Sequence, residues 1–439
     1  MRAKRQRMDN AAPAMAEMSD IQSLLVMALA ILNAVWTSCS MTALYRYLVN
    51  VLMAYPGCDL FGELLALVSY KLWKDGTCPA AHTVVGRSRF GELLGRVGAD
   101  WPDVLCRTET VLNDEELRSC LKRVQESGLS RKRTEFLDHL LECIVSESDQ
   151  AAKGQFFTLR HVADFIIRML SPRPKEILLD PACGSGMLLL SALRQCPNLR
   201  EENCVGFDYD DKAIRVARLL MYVEGRQHCC FEALDALKPP SISDRFPEIG
   251  GSPAEYVLRR RLGESQVDMI ATNPPFSVLV DSGSLPDEYV LSKRRGRVLR
   301  EVLFLERCER LLKPSGKLAI ILPSRVLSSV RDRYIREWLY DRFRVYGIVS
   351  LPNTMFQPYT EIQTDIIFAR KRSRPLSAGA SAETHEKVMM AICQQSGKDG
   401  RGNLLYRKNQ RRSTESVRHD LNDIRDAFQR FVSDETLEW

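Results

Sequence analysis

The chain has 439 residues, enough for a catalytic domain of ordinary size plus one or two smaller units. With 45% hydrophobic and 27% charged residues it has the balance of a soluble globular protein, which excludes wholesale disorder and a multi-span membrane protein. The 62 Lys+Arg against 56 Asp+Glu leave a formal charge of +6, which permits a polyanionic partner without demanding one.

Residues 1–18 open on the basic stretch MRAKRQR and read as a disordered N-terminus. Ile21 to Tyr45 carries no charge, as an anchor segment would, but Gln22, Ser23, Asn33, Thr37, Ser38 and Ser40 interrupt it; the expectation is a buried helix pair and no membrane span. Residues 19–150 show apolar side chains at helical spacing, such as Leu60, Leu64, Leu65 and Val68, then Phe136, Leu137, Leu140, Leu141 and Ile144, which predicts an all-α N-terminal domain.

From about residue 151 the pattern changes to short apolar runs alternating with amphipathic helical stretches, the signature of an α/β doubly wound sheet. Seven strands are predicted: Glu176–Asp180, Cys204–Asp208, Cys229–Leu234, Val267–Ala271, Lys317–Leu322, Val345–Leu351 and Thr364–Ala369. The α/β domain is expected over 151–371, with 372–439 as a linker and tail. The 13 cysteines form no CxxC pair and no zinc-ligand spacing with histidine, so reduced thiols in a cytoplasm and no metal are expected.

Three successive strands end in an acidic residue. The first strand runs into DPACGSG, where Asp180, Ala182, Gly184, Ser185 and Gly186 form a turn into a helix; glycines let a ligand approach the backbone, and the helix N-terminus offers free N–H groups. The second ends in FDYDD, with Asp208 where an acid can accept the hydroxyls of a ribose, and the third runs into ALDAL, with Asp235 beside the place of an adenine ring. A single Asp of this kind is ordinarily a loop or cap residue; three in succession point to a nucleoside.

The fourth strand ends in Asn273, Pro274, Pro275 and Phe276. The prolines fix the backbone and remove two donors, which leaves the Pro274 carbonyl and the Asn273 side-chain oxygen to accept from one amino group, with Phe276 to stack on the base that carries it. Basic runs at Arg259–Arg261, Lys293–Arg300 and Arg331, Arg333 and Arg336 are candidates for phosphate contacts, although such runs are commonly solvated faces.

DPACGSG, FDYDD and TNPPF in this order, preceded by GQFFTLRHVADFII and followed by TEIQTDIIFARK, resemble the N6-adenine DNA methyltransferases, in particular the modification subunits of type I restriction-modification systems. The resemblance implies a seven-stranded Rossmann-like sheet, S-adenosyl-L-methionine as cofactor, and transfer of a methyl group to N6 of a flipped-out adenine in double-stranded DNA. It also implies a separate specificity subunit, with a restriction subunit left open, and adds Gln155, Phe156, Phe157, Thr158 and Arg160 as cofactor contacts. On the residues alone, that last segment reads only as the start of a helix capped by Thr158. An RNA base or a glutamine amide stays open as the acceptor, as does a non-catalytic DNA-binding subunit, because the NPP turn suits any planar NH2 group.

Overall fold

The computed structural model describes residues 43–77, 85–131, 140, 157–237, 267–285, 289–293, 296–357, 360–376, 386–400, 404–409 and 414–439. The chain divides into two compact units, Met1–Val145 and Ser146–Trp439.

The described part of the first unit is helical. After a helix over residues 43–52 come α1 (Leu60–Thr77), α2 (Arg87–Asp100) and α3 (Asp114–Glu126). The apolar stripe of α1 is core: Leu64, Leu65 and Val68 are buried. Among them lies Glu63, satisfied by the Thr110 hydroxyl at 2.7 Å, the Val111 N–H at 3.1 Å and Arg107 at 2.8 Å, as a buried carboxylate requires. Asn113 and Glu116 close a reciprocal cap at the start of α3. The segment Ile21 to Tyr45 lies mostly outside the described residues; among those described, no helix is long and apolar enough to cross a membrane.

The second unit is an α/β sheet. Its elements are α4 (Arg160–Leu170), β1 (Leu178–Asp180), α5 (Met187–Gln195), β2 (Cys204–Asp208), α6 (Asp211–Val223), β3 (Cys230–Ala233), β4 (Val267–Thr272), a β5–β6 hairpin (Leu279–Asp281 and Arg297–Leu299), α7 (Arg300–Leu311), β7 (Leu312–Pro323), α8 (Arg333–Arg342), β8 (Phe343–Leu351), β9 (Thr364–Lys371), β10 (Met389–Ile392), a β11–β12 hairpin (Tyr406–Asn409 and Thr414–Val417) and α9 (Leu421–Asp434). All seven expected strands are present, and the sheet order is β10-β8-β9-β7-β4-β1-β2-β3. β9 runs antiparallel between β7 and β8, whereas the other pairings are parallel.

Alternation along the strands builds two cores, one on each face. Leu179, Val205, Phe207, Ile270, Ile320 and Ile367 pack with Val302, Leu303 and Leu305 of α7 and Leu339 of α8. Phe368, next to Ile367 and on the opposite face, meets Phe165 of α4 edge-on at 5.8 Å and lies 6.1 Å from Phe428 of α9. The eighth strand, β10, comes from the segment read from sequence as linker and tail. It pairs with β8 from Met389 opposite Gly347 to Ile392 opposite Ser350, so that segment completes the sheet. Four apolar residues, MMAI, give no alternation from which a strand could be read.

Candidate active site

β1 has β2 on one side and β4 on the other, so the strand order reverses direction there. In an open α/β sheet a crevice forms at the carboxyl ends of the strands at such a point. A cleft lies at this position, lined by Phe157, Thr158, Asp180, Ala182, Gly184, Ser185, Asp208, Asn273 and Pro275. Cys183, Met187, Leu188 and Ala213 also line it and have no counterpart among the expected residues.

The glycine turn is shaped by its backbone. Gly184 (φ +52°) and Gly186 (φ +77°) are both left-handed, and Gly186 is the residue that caps the start of α5. Its φ demands glycine there, and a Cβ would also crowd the Phe231 ring at 3.1 Å and Ala217 at 3.2 Å. At Gly184 a Cβ would meet nothing within 4 Å. Its backbone borders open space in the cleft, and a ligand can come close.

Asp180 is 1% exposed, with Oδ1 accepting the Ala182 N–H at 3.1 Å. Burial, reinforced by the nearby Asp208 charge, pushes its carboxyl up to about 7. Asp208 ties β2 to the turn: Oδ2 accepts the Gly184 N–H and Oδ1 the Asp210 N–H, both at 2.9 Å. A carboxylate oxygen can accept a ligand hydroxyl beside a backbone N–H. A carboxylate fixed this way, beside a backbone that leaves room, fits the ribose of a nucleoside cofactor.

Other expected residues sit differently. Asp235 lies two residues past the end of β3, outside the cleft lining, and its Oδ1 accepts the Leu237 N–H at 3.1 Å. Phe276 is 1% exposed and packs edge-to-face on Phe356, 6.1 Å between ring centres, so stacking on a base requires that ring pair to open. Gly186 and Pro274 adjoin lining residues without lining the cleft themselves, and Arg160, two residues after Thr158, does not line it. Gln155 and Phe156 lie outside the described residues. The cap of α4 is a correction: it is Leu159, one residue beyond Thr158, and no side chain caps the helix, which frees Thr158 to line the cleft.

The basic runs divide. Arg333 pairs with Glu337 at 2.8 Å, and Arg336 donates to the carbonyls of Val326 (3.2 Å) and Ser329 (2.6 Å), so both are engaged within the fold. Arg259–Arg261, Arg294 and Arg295 lie outside the described residues.

Comparison with known proteins agrees with this arrangement. The chain is 28% identical over 267 residues to the EcoEI type I restriction enzyme methylase subunit of Escherichia coli, covering 59% of this chain and 51% of that protein. It is 24% identical over 242 residues to the StySPI methylase subunit of Salmonella potsdam, covering 53% and 43%. The chain thus spans about half the length of the curated relatives it matches. Among solved structures, the type I restriction-modification system methyltransferase subunit from Streptococcus thermophilus superposes with a TM-score of 0.52 at 16% identity, over 89% of this chain and 93% of that one. The fold is that of the S-adenosylmethionine-dependent methyltransferases, and S-adenosyl-L-methionine is its cofactor. The N-6 DNA methylase family matches residues 134–437, a stretch that takes in the glycine turn, both strand-end acids of the cleft, the NPPF turn and the strand that completes the sheet; the chain belongs to that family.

Proposed function

We propose that this protein transfers a methyl group from S-adenosyl-L-methionine to N6 of an adenine flipped out of double-stranded DNA. In this reading it is the modification subunit of a restriction-modification system and takes its sequence specificity from a separate subunit. The observation that carries the proposal is the meeting of two half-sites in one cleft: Gly184 and Asp208 on one side, Asn273 and Pro275 of the NPPF turn on the other.

When bound, the cofactor supplies a methyl group already activated on a sulfonium cation, so alignment and exclusion of water are what the protein must provide. Asp208 holds the ribose, and the Gly184–Gly186 turn with Phe157 and Thr158 encloses the methionine end. The Asn273 side-chain oxygen and the Pro274 carbonyl accept the two amine hydrogens. This favours the pyramidal nitrogen whose lone pair is free to attack. Phe276 packs the extruded base once its contact with Phe356 opens. The amine proton leaves to water, and no side chain is assigned as base. The ten described cysteines are free thiols, in keeping with a cytoplasmic setting.

The test is methyl transfer from labelled cofactor to duplex DNA, RNA and protein, with the modified product identified. N6-methyladenine from DNA is expected. Asn273→Ala should lower the rate by about 100-fold or more, as loss of one preorganised hydrogen-bonding group does elsewhere, while cofactor affinity is kept. Label in RNA or in a glutamine amide would overturn the substrate assignment.

A further inference from the structure

Helix α7 carries three charged side chains inside the protein: Glu301 (0% exposed), Glu306 (3%) and Arg307 (6%). Charges so placed are costly unless hydrogen-bonded, and apolar residues would cover the sheet as well. Each of the three is bonded to the backbone of a loop at the carboxyl edge of the sheet.

Glu301 Oε2 accepts the N–H of Ser277, the residue after Phe276, at 3.1 Å. Its Oε1 accepts from Arg325, just past the end of β7, at 2.5 Å. Ser277 has φ +60°, a left-handed conformation that is unfavourable for a non-glycine residue and persists only where its surroundings enforce it. Glu306 receives the N–H groups of Val290 (2.5 Å) and Leu291 (3.0 Å) further along the same loop. Arg307 turns the other way and donates to the Ala236 carbonyl at 2.9 Å; the Tyr289 hydroxyl donates to the Leu237 carbonyl at 2.6 Å. One helix therefore grips both the loop that follows the NPPF turn and the loop that follows Asp235.

We propose that Glu301 is the positioning residue for the acceptor half of the site. Held by Arg325, its carboxylate fixes the Ser277 N–H and with it the angle at which Asn273–Phe276 presents the amine to the cofactor. Glu306 and Arg307 seat the rest of the frame. The proposal rests on the reading of NPPF as the amine site and adds to it a residue that touches neither substrate nor cofactor.

Two arms test it, both on the full chain with its specificity partner. In the first, Glu301→Gln and Arg325→Ala are compared with wild type in single-turnover methylation. The methyl-transfer rate should fall by about 100-fold, the penalty expected for a displacement of about 1 Å, with the cofactor dissociation constant and the DNA KM within about threefold. The double variant should be little worse than either single one, because the two residues act as a unit. Arg325→Lys should recover part of the loss. In the second arm, amide hydrogen exchange of the protein without DNA should quicken in peptides spanning 274–291 and stay unchanged in those spanning 181–190. Arg325 is half-exposed, so its variant reports even if Glu301→Gln folds poorly. Transfer rates within threefold of wild type, or a fall matched by an equal loss of cofactor affinity and uniform exchange, would overturn the proposal. A wild-type protein that methylates no DNA would count against the functional reading, and the exchange arm would still decide whether Glu301 holds the loop.

Discussion

Asp180 and Asp208 end neighbouring strands, yet their surroundings set them apart. Asp208 accepts two backbone N–H groups, whereas the carboxyl of Asp180 is raised to about 7, first by its burial and then by the charge of Asp208. The bound cofactor is a cation at its sulfonium, so it favours ionised Asp180. Below pH 7 binding must drive off a proton. Cofactor affinity should therefore rise as the pH passes through about 7 and level off by about pH 8, and Asp180→Asn should bind more weakly with a flat profile. Isothermal titration at a series of pH values measures this; a flat wild-type profile would show that Asp180 stays clear of the ligand. These acids were legible in the sequence because each stands in a contiguous motif at a strand end. The burial of Phe276 against Phe356 was not, since 80 residues separate the two and only the folded sheet brings them together.

Elements were legible where their hydrophobic period was long enough. β2 matches its expected limits of Cys204–Asp208, while β10 gave no signal and is recognisable only by its pairing with β8. The inward contacts of α7 were equally hidden, because nothing in REVLFLERCERL tells that Glu301, Glu306 and Arg307 are buried or which backbone groups they meet. Two stability predictions belong here. Gly206 of β2 faces the Phe231 ring, and a Cβ there would lie 2.7 Å from it and 3.0 Å from Cys183 Sγ. Gly206→Ala should cost about 1–3 kcal/mol by overpacking, read from denaturant unfolding. At the start of α4, His161 stacks on His419 and bonds the Ser396 carbonyl at 2.8 Å. Burial, then the proximity of His419, lowers it to about 4. A histidine depressed in the folded state takes up protons on unfolding, so its contribution is complete above about pH 6.5 and is lost as the pH falls toward 4, by up to about 3 kcal/mol. His161→Gln should flatten that part of the stability profile; an unchanged slope would assign the acid sensitivity elsewhere.

Across the whole molecule the function follows from where the strand order reverses. Because β2 and β4 leave β1 in opposite directions, the turn after β1 opens a crevice that Asp208 and the NPPF turn enter from either side. Seven of the eight strands of the α/β sheet follow from sequence pattern, and its doubly wound class from that pattern together with family resemblance, whereas their order and directions come from the pairing alone. The helical first unit offered only periodicity, which names helices without a task for them. The most direct test is long-read sequencing of DNA from cells that express the chain with its genomic neighbours, scored for N6-methyladenine. The account predicts one sequence motif methylated with the wild-type chain and unmethylated with Asn273→Ala. Absence of methylated adenine from every combination, with purified protein that binds S-adenosyl-L-methionine, would contradict it.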